Sequence, residues 1–292
     1  MISNSNTLMT KNNIWLNKLF EVFLKENTIP IVFEEKERLK EKESIINISI
    51  HPLRFADDIF FNFETNDENI RKRLKKYEVN YDIFYHYANM AKATYLKNVK
   101  KNTIKEKSIL LIGQTEQDKV IFDGEKYLSL LDYIETIKEL SHNYDTIYFK
   151  PHPYAKNTKK LAKELKKECK NIVLTYDNIY HLLSNDNIEH VVGLNSSVLY
   201  EAEYFKKKTT FLYKHSFDFK NNDIGIYGNY FNSSFWADIL QLEDIQIQLP
   251  FSPNKLRKSI NDFWGYNEIN DEIILKDIMK SKVKYLLSKY IR

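Results

Sequence analysis

The sequence predicts an α/β protein built on a doubly wound parallel sheet. From residue 107 onward, short apolar runs alternate with helical patterns. Several of the runs are apolar throughout, as strands covered on both faces must be. Composition agrees: 43% hydrophobic and 14% aromatic residues in a chain of 292 supply a sizeable core.

"SILLIG" (108–113) reads as a buried strand ending at Gly113. Tyr127, Leu130, Leu131, Ile134 and Ile137 then recur at helical spacing, and "TIYF" (146–149) is the next strand. Thr158 is expected to cap a helix with Leu161, Leu165 and Cys169 on one face. The alternation continues through "NIVLTY" (171–176), residues 178–184, "HVVGL" (190–194), residues 197–205 and "TTFLY" (209–213). Right-handed crossovers then place the loop after each strand on one carboxyl edge, where such sheets bind ligands.

The first hundred residues are less regular. "IPIVFEE" (29–35), "IINISI" (45–50) and "DIFFNFE" (58–64) read as strands, with helices near 12–26 and 67–99. This gives a small N-terminal α/β lobe over 1–105, a Rossmann-like lobe over 106–253 and a helical segment over 254–292. Leu275, Met279, Val283, Leu286 and Tyr290 line one face of that last segment.

Several function classes are disfavoured. The balance of 44 Lys+Arg against 40 Asp+Glu is too even to argue for nucleic acid. A single cysteine, Cys169, excludes an intramolecular disulfide and a thiolate metal cluster, and fits a reducing cytosol. No apolar run is long enough to span a bilayer, and "MISNSNTLMTKNN" lacks the apolar core of a signal peptide. Neither a Gly-x-Gly-x-x-Gly nor a P-loop lysine motif is present. Without an Asp-x-Asp, no metal or other cofactor is expected, and the pattern suits a nucleoside monophosphate leaving group.

Three loops on the predicted edge carry polar chemistry. In "IYFKPHP" (147–153), Pro151 restricts Lys150 and Pro153 restricts His152 to extended backbone. A histidine held that way is either a ligand contact or a turn residue bonded to the backbone. In "GLNSSVLYEA" (193–202), Asn195, Ser196 and Ser197 stand at a helix start, as plain caps or as an anion site. In "GQTEQDKVIFDG" (113–124), Glu116, Asp118 and Asp123 are general bases, nucleophiles or solvated loop charges. His190 and His181 read as structural. His51-Pro52-Leu53-Arg54 follows a predicted strand of the small lobe, which marks His51 and Arg54 as candidates for acceptor binding.

His152-Pro153 and Ser196-Ser197, in that order, resemble the motifs of GT-B-like bacterial transferases that use CMP-activated acidic sugars, the capsule sialyltransferases among them. "QTEQD" resembles the Gln-Thr-x-x-Asp segment of retaining β-Kdo transferases, enzymes of capsule, O-antigen and lipopolysaccharide assembly that consume CMP-Kdo. Gln114, Thr115 and Asp118 match it. The resemblance covers roughly residues 107–215. It implies two Rossmann-like lobes with a cleft between them, and a CMP phosphate held by the histidine and serines. It also implies an Asp118 nucleophile, Kdo as donor sugar, and a surface-glycan or lipid-linked glycan as acceptor.

Glu116 is then the candidate for proton handling, and Lys119 or Lys150 for pairing with the sugar carboxylate. Inverting sialyltransferases carry an acidic-acidic-Gly motif. Here only Asp123-Gly124 remains, with Phe122 in the first acidic place. An inverting sialyltransferase with Asp123 as base is the rival enzyme, and a non-catalytic glycan- or nucleotide-binding module the rival outside enzymology. Lys276, Lys280, Lys282, Lys284, Lys289 and Arg292 flank the C-terminal apolar stripe. That helix either packs on the protein with a solvated basic face or rests on anionic lipid at the inner face of the inner membrane.

Overall fold

The structure is a computed structural model that describes residues 27–33, 35–56, 60–97, 104–215, 224–227 and 232–243. The expected helix near 12–26 and the basic segment over 254–292 lie outside the described residues. In chain order the elements begin with β1 (Ile31–Phe33), β2 (Ile46–Ile50), β3 (Phe60–Thr65), α1 (Glu68–Lys75), α2 (Asp82–Lys97) and β4 (Ser108–Ile112). Next come α3 (Ile134–Ser141), β5 (Thr146–Lys150), α4 (Thr158–Glu168), β6 (Ile172–Leu174) and α5 (Ile179–Ser184). The series ends with β7 (Ile188–Gly193), α6 (Ser197–Tyr204), β8 (Lys208–Phe211), β9 (Ile224–Tyr227) and α7 (Ser233–Leu240).

The described residues fall into two compact units, one drawn from Met1–Ile50, Asp57–Glu78 and Ile226–Arg292, the other from His51–Ala56 and Val79–Gly225. The first carries a four-stranded sheet in the order β1-β2-β3-β9. β2 runs parallel to β1 and antiparallel to β3, with Ile48 opposite Phe63. Phe63 packs edge-on against Phe235 at 5.7 Å between ring centroids and lies 5.9 Å from Trp236, both on α7. Asp67 caps α1 by accepting from the Asn69 and Ile70 amides, which fixes Ile70 and Leu74 on its buried face.

The predicted helix over 67–99 is thus two helices with a break between them. α1 packs on α7 within the first unit, whereas α2 packs on α5 and α6 within the second. Residues 51–56, which the sequence placed in the small lobe, also belong to the second unit.

That second unit holds a five-stranded sheet in the order β6-β5-β4-β7-β8, parallel throughout. All five residues of β4 are buried, which is why "SILLI" can be apolar without alternation. Ile109, Leu111, Ile147, Phe149 and Val192 face a core closed by Ile137 of α3 and Leu165 of α4, with Cys169 and Leu161 beside them. The chain steps from β4 to β5 to β6 on one side, then returns to lay β7 and β8 on the other. The loops after β4 and β7 therefore diverge, opening the crevice where such sheets bind ligands.

One expected helix starts late. Ser129 accepts from the Leu131 amide in a capping box with Asp132, so a 3-10 turn over Leu130–Tyr133 precedes α3. Tyr127 is not helical: it pairs with Phe122 in an isolated antiparallel bridge. The α4 cap also differs, since Asn157 holds the N-cap place and Thr158 is the first helical residue.

Candidate functional site

The three polar loops lie at the carboxyl ends of three adjacent strands, β5, β4 and β7. Gly113 leaves β4 with its N–H donating to the Lys150 carbonyl at 2.8 Å, which ties the first loop to the second. Gln114 then reaches across to the third. Its side-chain oxygen accepts from the Asn195 amide at 3.2 Å, and its Nε2 lies 3.5 Å from Asp118 Oδ2. Asn195 is buried and donates Nδ2 to the Val120 carbonyl at 3.2 Å, which fixes the turn that follows Asp118.

Asp118 caps that turn, Lys119–Ile121, by accepting from the Val120 amide at 3.1 Å through Oδ1. Its carboxylate is half-buried, as are Gln114 and Thr115, whereas Lys119 is exposed. Asp123 differs sharply. It is exposed and turns a hairpin by accepting from the Glu125 and Lys126 amides at 2.9 and 2.8 Å, with Gly124 at φ 110°. Those amides hold its carboxyl below the usual range.

His152 is half-buried, and its Nδ1 accepts from the Tyr154 amide at 3.2 Å. That contact requires an unprotonated Nδ1, so the neutral ring carries its hydrogen on Nε2. Burial pushes the His152 pKa down, and the cations Arg54 and Lys150 add to the effect while Asp118 and Glu116 oppose it. Pro153 is exposed in the same turn.

Ser196 caps α6, accepting from the Val198 amide at 3.3 Å, and Ser197 begins the helix half-buried. The arrangement offers an imidazole N–H, two hydroxyls, a helix N-terminus, two cations and one half-buried carboxylate. It can hold a phosphate and present a carboxylate to the group that the phosphate carries.

Two candidates have other employment. Glu116 accepts from the Asn157 amide at 2.8 Å, at the start of α4, and this bond first of all holds its carboxyl below the usual range. A carboxylate so engaged is a poor proton acceptor. His51 is 2% exposed, with Nε2 2.9 Å from the Tyr204 hydroxyl and its ring 4.6 Å from that of Phe84, so it cannot meet an acceptor in solvent.

Arg54 is exposed, and its charge acts on His152. Not legible in the sequence is the anchor of its backbone: the Arg54 amide donates to Glu201 Oε1 at 2.7 Å, and Glu201 is 1% exposed on α6. The available signal was an acid, Glu201, two residues before Glu203 in the otherwise apolar and aromatic stretch "VLYEAEY".

An imidazole, two hydroxyls and a helix N-terminus at the carboxyl edge of a doubly wound sheet suit the phosphate of a nucleotide-linked group. The chain belongs to the alpha-2,8-polysialyltransferase family, whose model matches residues 6–215, and so to the glycosyltransferases of CMP-activated acidic sugars. Among solved structures it is similar to KpsC of Thermosulfurimonas dismutans, a beta Kdo 2,7 transferase. That similarity has a TM-score of 0.41 at 17% identity, over 83% of this chain and 85% of the other. No curated protein matches the chain in sequence. Among the described residues no helix is long and apolar enough to cross a membrane.

Proposed function

We propose that the protein transfers Kdo from CMP-Kdo to a surface-glycan acceptor, with retention and without a metal. The observation that carries this reading is the setting of Asp118, half-buried beside Gln114 and within electrostatic reach of His152. CMP binds with its phosphate at His152 Nε2–H and the Ser196–Ser197 helix start. Asp118 attacks the anomeric carbon, and the bond from that carbon to the phosphate oxygen breaks with its electron pair on CMP. An acceptor hydroxyl then displaces the Asp118 carboxylate and passes its proton to the phosphate still bound. Two inversions give net retention.

A second reading, inverting transfer of sialic acid, is favoured by the family to which the chain belongs. It needs Asp123 as base, and that carboxylate is occupied by two backbone amides. Proton NMR of the products, with CMP-Kdo and CMP-sialic acid offered separately, tests both readings. A β-Kdo product supports the first, and a sialoside of inverted configuration replaces it with the second. The acceptor belongs to capsule or O-antigen assembly, and the basic sequence over 254–292 suits contact with anionic lipid at the inner face of the inner membrane. Failure of anionic liposomes to co-sediment the protein at low salt removes the membrane contact.

A further inference from the structure

Glu201 lies outside the mechanism above, yet its carboxylate is buried and heavily engaged. It accepts the Arg54 amide at 2.7 Å, and the Tyr180 hydroxyl stands 3.3 Å from both of its oxygens. One turn further along α6, Tyr204 holds His51 through the 2.9 Å contact. Residues 51–56 also fold on themselves, with the Leu53 amide donating to the His51 carbonyl at 2.8 Å and the Ala56 amide to that of Leu53 at 3.0 Å. A buried carboxylate spent on a backbone amide is costly unless that backbone must be held in place.

The helix supplies the geometry. Glu201 follows Ser197 by four positions, so the two lie on the same face about 6 Å apart along the axis. The Arg54 amide is thereby fixed about one turn below the proposed phosphate site, within reach of a long side chain that is exposed. The Arg54 charge acts on both His152 and Tyr180.

We propose that Arg54 forms, with Lys150, a cationic subsite for the carboxylate of the donor sugar, and that Glu201 positions Arg54 for it. The planar guanidinium matches a carboxylate in a paired, charge-assisted contact. The inference rests on the reading of the site as a CMP-sugar site and adds the second anion of the same substrate. CMP alone lacks that carboxylate, so the nucleotide and the intact donor separate the two contributions.

The experiment uses CMP and whichever of CMP-Kdo and CMP-sialic acid the wild type consumes. Arg54→Ala should raise the donor KM about tenfold or more, the scale of a lost charge-assisted contact, while the Kd for CMP stays within about twofold. Arg54→Lys should recover part of the loss. Glu201→Gln keeps an oxygen for the Arg54 amide and should hold the donor KM within about twofold, whereas Glu201→Leu should reproduce the Arg54→Ala split.

Equal losses for CMP and donor in Arg54→Ala would assign the guanidinium to the phosphate and overturn the subsite, as would an unchanged donor KM. A wild type that neither binds CMP nor consumes either donor would overturn the proposed function instead.

Discussion

Gly113 and Pro151 approach so closely that a Cβ on the glycine would stand 3.1 Å from the proline Cα and 3.2 Å from the Phe149 ring. The same Cβ would lie 3.4 Å from the His152 amide nitrogen. The end of β4 thus sets the position of the Lys-Pro-His-Pro loop, and the absence of a side chain at Gly113 is part of how His152 is aimed. Gly113→Ala should displace that loop by a few tenths of an ångström. The expected cost is about 1–3 kcal/mol of stability, typical of overpacking, together with weaker CMP binding. Thermal unfolding and calorimetric CMP titration check both; wild-type values in each would remove Gly113 from this role.

His152 is predicted to bind phosphate as a neutral donor. Its Nδ1 is engaged with the Tyr154 amide, and burial opposes protonation. His152→Ala should weaken CMP by about 1.5–3 kcal/mol, the range for a hydrogen bond to a charged group. The loss should stay constant between about pH 7.5 and 8.5, where a histidine whose pKa lies below the ordinary value is neutral. A loss that fades steadily with rising pH would instead mark an imidazolium.

Glu116 is expected to stabilise rather than catalyse. Glu116→Ala strips the Asn157 amide of its acceptor at the start of α4, so stability should fall by about 0.5–2 kcal/mol, as for other lost N-caps. Turnover should stay within about twofold, because the carboxylate acts on the helix and not on the sugar. A large fall in kcat with unchanged stability would return Glu116 to the chemistry.

The difference between what was legible and what was not follows sequence distance. The apolar runs of β4, β5 and β7 announce themselves because burial on both faces leaves no polar position to interrupt them. Pro151, Pro153 and Ser196 act on their own backbone, so their loops could be placed by residue type alone. The contacts that reassign residues are long-range. Glu201 meets Arg54 across 147 positions, and Glu116 meets Asn157 across 41, with no periodicity to predict either. Tyr127 illustrates the converse error: its spacing fits a helix, but the Ser129 capping box starts the helical turn only after it.

His190 makes the protein sensitive to acid. It is fully buried in β7, with Nε2 2.8 Å from Thr210 Oγ1 and Nδ1 3.3 Å from the Tyr144 hydroxyl. Burial, aided by the charge of Lys208, pushes its pKa from 6.5 down to about 4. The unfolded chain therefore binds the extra proton first, and stability falls as pH drops through that window. The integrated loss is up to roughly 3 kcal/mol. Denaturant unfolding at several pH values should show a shallower slope between those limits for His190→Gln than for wild type. Parallel curves would assign the acid sensitivity elsewhere.

Asp118 carries the proposed chemistry, and its neighbours make the expected outcome specific. Its Oδ1 is committed to the Val120 amide, so Oδ2, 3.5 Å from the Gln114 amide nitrogen, is the oxygen available for attack. Asp118→Asn keeps the size of the side chain, and its carbonyl oxygen can still accept from Val120, but an amide is a poor nucleophile. Transfer should therefore fall by roughly a thousandfold or more in both Asp118→Asn and Asp118→Ala, while CMP affinity stays close to wild type. Intact-protein mass spectrometry after incubation with CMP-Kdo and no acceptor should show a one-sugar mass increase in the wild type, mapping to the peptide with Asp118, and none in Asp118→Asn. Wild-type turnover in Asp118→Ala, or a product anomer inverted relative to the donor, would transfer the role to another group, with Asp123 the next to test.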